Sequence, residues 1–352
     1  MLYSSAGPDQ SVLEDLTKAV FVSDMKVLIT DFNYPDTQLE QSLFRNAGIE
    51  CLVGNCRTEE DVIAASEGCF GLLVQYAAVG AKVFTARPEI RICSRYGAGT
   101  DTIDSAAAQH YGVWVANSPD YGIGEVATHA LSMTLALLRH LKAFDCDVRQ
   151  GKWDPVATGE IGRVGNMTLG ILGLGRIGKR MAHIGRNCFR RVIACDPYII
   201  DGDLPAFVER ASLGELFRTS DAISIHVPLT EETRGMVNAS LLRLMKPRSV
   251  LVNTSRGAVV NVDDLLAALD AGQLDGAGLD VLPVEPPELG SALLAHPRIL
   301  FSPHAAFYSV ESHPEVRRKA AQNLIDWAQH GRPTYVVIAG AERSDTVKAK
   351  SL

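Results

Sequence analysis

Residues 168–178 read TLGILGLGRIG, a short apolar run that passes into three glycines spaced G-x-G-x-x-G. The run at 168–172 predicts a buried strand, and residues 179–186 carry the pattern of a helix. In that setting the first glycine permits a tight turn, the second lets backbone approach a pyrophosphate, and the third allows close packing. Such glycines also occur in simple turns, but the flanking strand and helix favour a dinucleotide site with the phosphates at the helix N-terminus.

A carboxylate stands where such a site needs one. Asp196 follows the next predicted strand, at the place where an acidic side chain binds the hydroxyls of an adenosine ribose. Its charge would repel the 2′-phosphate of NADP, although Arg190 and Arg191 stand close enough in sequence to weaken that repulsion. We therefore expect NAD as the cofactor. The expected contacts are Gly173, Gly175, Arg176, Ile177, Gly178 and Asp196.

Short apolar runs alternate with helical patterns on both sides of this segment. Most runs lack polar alternation, which is typical of parallel strands covered by helices on both faces. The turn cluster Asn117-Ser118-Pro119 separates an earlier series from a later one. We predict an α/β protein with two doubly wound parallel sheets. The predicted strands are residues 26–30, 71–74, 90–93, 168–172, 191–194, 222–225, 249–252, 277–279 and 298–301, and the predicted helices are 36–48, 125–143, 179–186, 241–245, 262–271 and 314–330.

The composition excludes several classes of protein. With 352 residues, 47% hydrophobic and 21% charged, the chain can bury the cores of two or three domains. A formal net charge of −7 offers no basic surface to nucleic acid. The longest apolar stretch, residues 69–84, is interrupted by Gln75 and Lys82, so we expect no membrane span. The N-terminus shows no secretory signal.

The seven cysteines are scattered and include no C-x-x-C pair. This pattern argues against a disulfide framework and against a thiolate zinc site. Glu125 and His129 lie four residues apart on one predicted helix, but no third ligand is suitably spaced, so an ordinary helix pair is the better interpretation. We expect no metal, a reducing compartment and a cytoplasmic location.

Three polar residues stand just after predicted strands, at the edge where open α/β sheets bind ligands. They are Arg256, Glu285 and His304. Taken singly, they could be a surface arginine, a turn glutamate and a loop histidine. Together they provide what carbonyl reduction requires. A guanidinium forks onto a carboxylate, an imidazole protonates the nascent alkoxide, and a carboxylate orients that imidazole and favours its charged form.

The ordered motifs resemble the D-isomer-specific 2-hydroxyacid dehydrogenases. The motifs that carry the resemblance are LGLGRIG at 172–178, VNTSRG at 252–257, GLDV at 278–281 followed by Glu285-Pro286, and SPH at 302–304. The resemblance extends from about Met25 to Gly340, nearly the whole chain. Within the family, the chain is most similar to the branch of phosphoglycerate dehydrogenase and the C-terminal-binding-protein corepressors.

The resemblance implies a discontinuous, flavodoxin-like substrate domain, formed by residues 1–120 and 305–352. Residues 121–304 would form a Rossmann domain that binds NAD, with a cleft between the two domains. The family is usually homodimeric, paired through the cofactor domains with a contribution from the predicted helix at 125–143. Its members also close the cleft by a hinge motion that excludes water.

The resemblance also implies roles for individual residues. Arg256 would bind the carboxylate of a 2-hydroxy or 2-oxo acid, Glu285 would support His304, and His304 would be the general acid and base. Asp280 would hold the nicotinamide carboxamide, and Thr254 would line the cofactor site. The residues expected to bind substrate are Tyr76, Gly97, Ala98, Gly99 and Phe307.

Two departures from the family bear on the substrate. Gln75 and Tyr76 stand where phosphoglycerate dehydrogenases carry a phosphate-contacting arginine, and Phe307 stands where the corepressors have tryptophan. We therefore expect a small or partly apolar 2-oxo acid. Two alternatives are an NADH-sensing module that binds proteins and an oxidase of another small anion such as phosphite. A formate dehydrogenase is disfavoured, because that branch has glutamine at the position of Glu285.

Overall fold

The computed structural model describes residues 25–342, which form two compact units. Within the described range, one unit contains residues 25–121 and 313–342, and the other runs from Gly122 to Ser312. Each unit is built on its own largely parallel sheet, which confirms the predicted fold class. Residues 1–24 and 343–352 were also predicted to belong to the substrate domain, and they lie outside the described residues.

Strands and helices alternate along most of the chain. The strands are β1 (Lys26–Ile29), β2 (Glu50–Val53), β3 (Cys69–Val74), β4 (Ile92–Arg95), β5 (Trp114–Ala116), β6 (Thr168–Leu172), β7 (Arg191–Cys195), β8 (Val208–Arg210), β9 (Ala222–Ile225), β10 (Ser249–Asn253), β11 (Leu274–Leu279), β12 (Ile299–Phe301) and β13 (Val336–Ile338). The α-helices are α1 (Gln38–Asn46), α2 (Glu59–Ala65), α3 (Ala81–Ala86), α4 (Ser105–Tyr111), α5 (Ile123–Leu138), α6 (Leu141–Arg149), α7 (Arg176–Gly185), α8 (Leu213–Thr219), α9 (Ala239–Leu242), α10 (Val262–Asp270), α11 (Ala292–Ala295) and α12 (Ser312–His330).

The sheet of the first unit has the strand order β13-β5-β4-β3-β1-β2. Strands β1 to β5 are parallel and follow the order 2-1-3-4-5 of flavodoxin-like sheets. The winding reverses between β1 and β3, so the loops after β1, β3 and β4 share the carboxyl edge around this switch point. Strand β13 pairs antiparallel with β5 at the edge of the sheet. The sequence analysis missed β13, because its three residues are too few to form a recognisable pattern.

A buried ion pair joins the two chain segments of the first unit. Glu40, on α1, is 0% exposed, and the guanidinium of Arg317, on α12, donates to its two oxygens at 2.7 and 2.6 Å. The phenol of Tyr96 donates to the same carboxylate at 3.0 Å. Because both charges are removed from water, loss of Arg317 would leave the Glu40 carboxylate buried without its counter-charge.

The second unit contains a seven-stranded parallel sheet with the order β12-β11-β10-β9-β6-β7-β8. Its central part is a Rossmann arrangement whose switch point lies between β6 and β9. Every residue of β6, β9 and β10 is buried, so both faces of these strands are covered. At the carboxyl edge, a glycine or a polar residue directly follows each of six strands. These residues are Gly173, Asp196, His226, Thr254, Asp280 and Ser302.

The prediction of one long helix at residues 125–143 is wrong. Helix α5 ends at Leu138 and α6 begins at Leu141, because His140 adopts a left-handed backbone with φ +52°. The His140 Nε2 atom lies 2.7 Å from a carboxylate oxygen of Asp275, on β11. The break thus coincides with a contact to a residue distant in sequence, and no glycine or proline marks it. Within the described range, no helix has the length and apolarity that a membrane crossing demands.

The chain passes from the second unit back to the first after Ser312, whereas the expected boundary followed residue 304. Residues 305–312 belong to the second unit. Hydrogen bonds hold this segment in the second unit. The Ser309 hydroxyl donates to Glu125, on α5, at 3.0 Å, and the Ser312 hydroxyl donates to the carbonyl of Phe307 at 2.6 Å. The sequence analysis placed the boundary directly after the predicted catalytic histidine and could not foresee these bonds.

Candidate active site

The glycine loop follows β6 and opens α7, as the sequence predicts. Gly173 has φ +90°, and a Cβ atom there would lie 2.8 Å from the carbonyl carbon of His226. A Cβ atom at Gly178 would collide with the carbonyl oxygen of Gly173, whereas one at Gly175 would meet nothing within 4 Å. The first and third glycines are therefore needed for packing, and the second leaves the backbone open to a ligand. Arg176 and Ile177 form the first turn of α7, the end that favours negative charge.

Asp196 is bonded to the same loop. One carboxylate oxygen accepts the N–H of Leu174 at 2.7 Å, and the other accepts the N–H of Tyr198 at 2.9 Å. Arg191 lies at the opposite end of β7, where it forks onto Glu209 at 2.8 and 2.6 Å. Of the two arginines expected to weaken the repulsion of a 2′-phosphate, Arg190 and Arg191, the second is therefore committed elsewhere.

The loop after β10 carries Thr254 and Arg256. The side chain of Asn253, fully buried, donates to the carbonyl of Arg256 at 2.9 Å and accepts the N–H of Ser255 at 3.0 Å, so it fixes the loop. The Thr254 hydroxyl is buried, and within residues 25–342 it has no hydrogen-bond partner. A buried hydroxyl of this kind requires a partner. With the open backbone at Gly175 and the Asp196 carboxylate, it fits a bound dinucleotide.

His304 and Glu285 form a hydrogen-bonded pair. The Nδ1 atom of His304 lies 2.7 Å from one carboxylate oxygen of Glu285, and the other oxygen accepts the N–H of Leu282 at 2.8 Å. Both side chains are one-third exposed, so the pair is reachable from solvent. Burial raises the pKa of Glu285, but the hydrogen bond and charge of His304, the Leu282 N–H and the charge of Arg256 together hold it below its usual value. Glu285 is therefore a carboxylate at neutral pH, and Nε2 of His304 remains for another partner.

Asp280 orders the loop that carries His304. Its carboxylate is 2% exposed and accepts the Ser302 hydroxyl at 2.5 Å and the N–H groups of Ala305 and Ala306 at 2.9 and 3.1 Å. The N–H of His304 donates to the Asp280 carbonyl at 2.7 Å, and His304 itself has φ +53°. The sequence analysis assigned Asp280 to the nicotinamide and missed this structural role, because the bonds depend on the path of the following loop.

Two histidines near this edge were not predicted as part of it. The Nε2 atom of His129, on α5, lies 2.9 Å from the Ser302 hydroxyl. His226 follows β9 beside Gly173, and its Nε2 atom lies 2.8 Å from the hydroxyl of Ser224. Burial lowers the pKa of His226 to about 4, so it is neutral near pH 7. Its place directly after a predicted strand was the signal that could have found it.

The predicted substrate residues of the first unit lie on its carboxyl edge. Tyr96 begins the loop after β4, and the backbone N–H groups of Gly97, Ala98 and Gly99 donate to no acceptor within residues 25–342. Three such N–H groups in succession suit an anion. Gly97 has φ +110°, and the guanidinium of Arg95 fills the space that a side chain there would need. This arginine was not among the predicted substrate residues.

Tyr76 lies on the neighbouring loop after β3. Its phenol accepts the side-chain amide of Asn33 at 3.1 Å, and the backbone N–H of Asn33 donates to the side-chain amide oxygen of Gln75 at 2.9 Å. The buried Asp31 carboxylate accepts the N–H groups of residues 75–77 and holds the loop in place. In the second unit, the rings of His304 and Phe307 are 6.4 Å apart and nearly perpendicular. Phe307 is thus next to the predicted general acid.

Comparison with known proteins adds an independent line of evidence. A family model described as the NAD-binding domain of D-isomer-specific 2-hydroxyacid dehydrogenases matches residues 131–306. A glyoxylate reductase from Korarchaeum cryptofilum is 37% identical over 264 residues, which cover 74% of this chain and 79% of that protein. A hydroxypyruvate reductase from Thermotoga maritima is 35% identical, with coverage of 68% and 78%. The solved structure of a D-2-hydroxyisocaproate dehydrogenase has a TM-score of 0.76 at 27% identity and covers 89% of this chain and 99% of its own.

Proposed function

This chain belongs to the D-isomer-specific 2-hydroxyacid dehydrogenase family, and we propose that it interconverts a small 2-oxo acid and the corresponding D-2-hydroxy acid. Members of this family are NAD-dependent dehydrogenases of CH–OH groups. The observation that carries the proposal is the His304–Glu285 pair at 2.7 Å, on the same sheet edge as the glycine loop. Relatives named glyoxylate reductase and hydroxypyruvate reductase support a short substrate.

The mechanism assigns each step to a side chain. NAD, when bound, exchanges a hydride with the substrate. Arg256 binds the substrate carboxylate through its fork of N–H donors. In the direction of reduction, His304 in its charged form donates the Nε2 proton to the carbonyl oxygen as that oxygen becomes an alkoxide. Glu285 accepts the Nδ1 N–H throughout and keeps the ring oriented. In the reverse direction, neutral His304 removes the hydroxyl proton.

The two units take separate roles in the proposal. Gly173, Gly175, Asp196 and Thr254 give the second unit the features of an NAD site. The first unit offers the N–H groups of residues 97–99 and the Tyr76 side chain to the substrate. The proposal also includes a reducing, cytoplasmic location, which is supported by seven cysteines that are all unbonded.

A panel of acids tests the proposal. We expect NADH oxidation with glyoxylate and hydroxypyruvate and poor activity with 3-phosphohydroxypyruvate, because Gln75 and Tyr76 offer a phosphate no charge. A higher kcat/KM for the phosphorylated acid would contradict this and would direct attention to Arg95. NADH binding without turnover of any acid would favour a protein-binding module, and NADH formation from NAD and phosphite would favour the other alternative.

The cofactor preference is expected to depend on Asp196. We predict a kcat/KM for NADH that exceeds that for NADPH by roughly tenfold or more, since a repulsion of one to two kcal/mol corresponds to this factor. Asp196→Ser should reduce the ratio. Asp263→Ser is the matched control, because it makes the same change at an exposed position in the first turn of α10. Equal efficiency of the unaltered protein with both cofactors would refute the assignment.

Replacing Glu285 by glutamine is expected to shift the pH dependence of reduction. The lowered pKa of Glu285 shows that its carboxylate and a charged His304 stabilise each other. Reduction needs the charged imidazole, and loss of the carboxylate beside it removes support for that form, so the alkaline limb of kcat/KM should move to lower pH. Glu288→Gln, a change at an exposed neighbour, should leave the profile unmoved. If kcat/KM of Glu285→Gln has the same pH dependence as that of the unaltered protein, Glu285 does not support the charged form of His304.

The same pair links stability to pH. Because the pKa of Glu285 is lower in the folded protein, its contribution to stability is present above pH about 4 and is lost as the pH falls through that lowered value. Melting temperatures measured between pH 6 and 3 should therefore fall less steeply for Glu285→Gln than for the unaltered chain.

A homodimer is also part of the proposal. Helix α6 contains no buried residue, and the segment that follows it exposes 87% of Trp153 and 72% of Val156. Large apolar side chains exposed together mark a surface that another protein covers. We expect sedimentation velocity to show a dimer that Trp153→Ser weakens. A monomer at micromolar concentration would contradict this part of the proposal.

A further inference from the structure

Two hydrogen bonds fix the orientation of the loop at residues 96–99. The carbonyl of Gly97 accepts the backbone N–H of Ser118 at 2.9 Å. The carbonyl of Ala98 accepts the side-chain amide of Asn117 at 2.6 Å. Both donors come from the turn after β5, so one face of the loop is bound to a neighbouring turn.

These bonds determine where the N–H groups of the loop point. In a planar trans peptide, the carbonyl of one residue and the N–H of the next point in opposite directions. Holding the Gly97 carbonyl therefore aims the Ala98 N–H away from the turn, and holding the Ala98 carbonyl aims the Gly99 N–H the same way. Neither N–H donates to any acceptor in the described part of the chain.

Asn117 is itself held by a fully buried amide. Asn323, on α12, donates to the backbone carbonyl of Asn117 at 2.9 Å and to the Ser94 hydroxyl at 3.2 Å. The Asn323 oxygen accepts the N–H of Tyr335 at 3.1 Å. The backbone of Asn117 is thus anchored to three separate segments of the first unit. At the other end of the loop, the Tyr96 phenol is fixed by Glu40.

We propose that Asn117 is a positioning residue, which aims the Gly99 N–H at the substrate carboxylate. The inference rests on the proposed function, since it takes residues 97–99 as the carboxylate site. Without the Asn117 amide, the peptide between Ala98 and Gly99 can rotate and turn its carbonyl oxygen toward the anion. Asn117 would then govern substrate affinity while touching neither the cofactor nor the reacting atoms.

The test compares Asn117→Ala and Asn117→Asp with Asn46→Ala, which alters an exposed asparagine at the end of α1. With saturating NADH, Asn117→Ala should raise KM for glyoxylate about tenfold, the size of one hydrogen bond to a charged group, and change kcat less than about threefold. Asn117→Asp, similar in size but unable to donate when ionised, should raise KM further. The control and the Kd for NADH should not change.

Titration with oxalate, a non-reacting dicarboxylate, separates this inference from the proposed function. The Kd for oxalate should rise in both Asn117 variants by a factor similar to that for KM. If the unaltered chain reduces no 2-oxo acid, the proposed function fails, and the oxalate titration still tests the loop. Unchanged KM and oxalate affinity in folded Asn117→Asp would overturn the inference. So would a lower melting temperature accompanied by no change in either constant, since that would show a purely structural role.

Discussion

His304→Ala is expected to lower kcat by about 10²–10⁴-fold, the usual contribution of a positioned general acid. The variant keeps the Glu285 carboxylate and the glycine loop but has no group at Nε2 to protonate the carbonyl oxygen. The Kd for NADH should change little, because the NAD-binding features lie in the glycine loop, at Asp196 and at Thr254. Single-turnover kinetics with glyoxylate would measure the effect on chemistry directly.

Two controls make this result specific. His110→Ala removes an exposed imidazole on α4 of the first unit and should leave kcat unaltered. Added imidazole should restore part of the activity of His304→Ala, because it supplies the missing acid in solution. A His304→Ala variant that retains most of its kcat would show that another group protonates the substrate and that the His304–Glu285 pair is structural.

Arg256→Ala should lower kcat/KM for 2-oxo acids by roughly tenfold to a hundredfold or more. Hydrogen bonds to charged groups contribute about 1.5–3 kcal/mol each, and a guanidinium offers two of them to one carboxylate. Arg256→Lys should recover only part of the loss, since an ammonium keeps the charge and not the fork. Initial-rate kinetics at saturating NADH provide the measurement.

The lower kcat/KM of Arg256→Ala could in principle come from a distorted loop after β10, and this explanation can be tested. Asn253 bonds to backbone groups of the loop, including the Arg256 carbonyl, so Arg256→Ala should preserve its shape and leave NADH affinity unchanged. Arg243→Ala, at an exposed position of the same unit, should show full activity. If kcat/KM of Arg256→Ala equals that of the unaltered protein for every 2-oxo acid, other groups bind the substrate carboxylate.

The sequence was most informative where function depends on adjacent residues. The glycine motif could be located because its turn, its approach to a ligand and the packing of Gly178 against Gly173 all arise within residues 172–178. Arg256, Glu285 and His304 could be grouped because each follows a predicted strand, and parallel strands place such positions at one edge. Of these three, the structure brings Glu285 and His304 into hydrogen-bond contact, and the charge of Arg256 acts on Glu285.

The features that escaped prediction depend on residues far apart in the chain. At the helix break, His140 contacts Asp275, which lies 135 residues away. Asp280 can order the histidine loop only because that loop folds back over the end of β11. Asn117 acts on Ala98, to which nothing in the local pattern connects it. Periodicity describes which residues are apolar and cannot describe which polar groups meet after folding.

The discontinuity of the first unit has a consequence for the order of events on the ribosome. The second unit is contiguous from Gly122 to Ser312, so all of its sheet has been synthesised before α12 emerges. The first unit begins earlier but is not complete until Arg317 and β13 appear, because Arg317 is the charge that pairs with the buried Glu40 and β13 is the edge strand beside β5. Domains generally fold as units during synthesis. The N-terminal strands of the first unit therefore remain without their C-terminal partners while the second unit folds. A chain truncated before residue 313 would leave the first unit incomplete and exposed to proteases and chaperones.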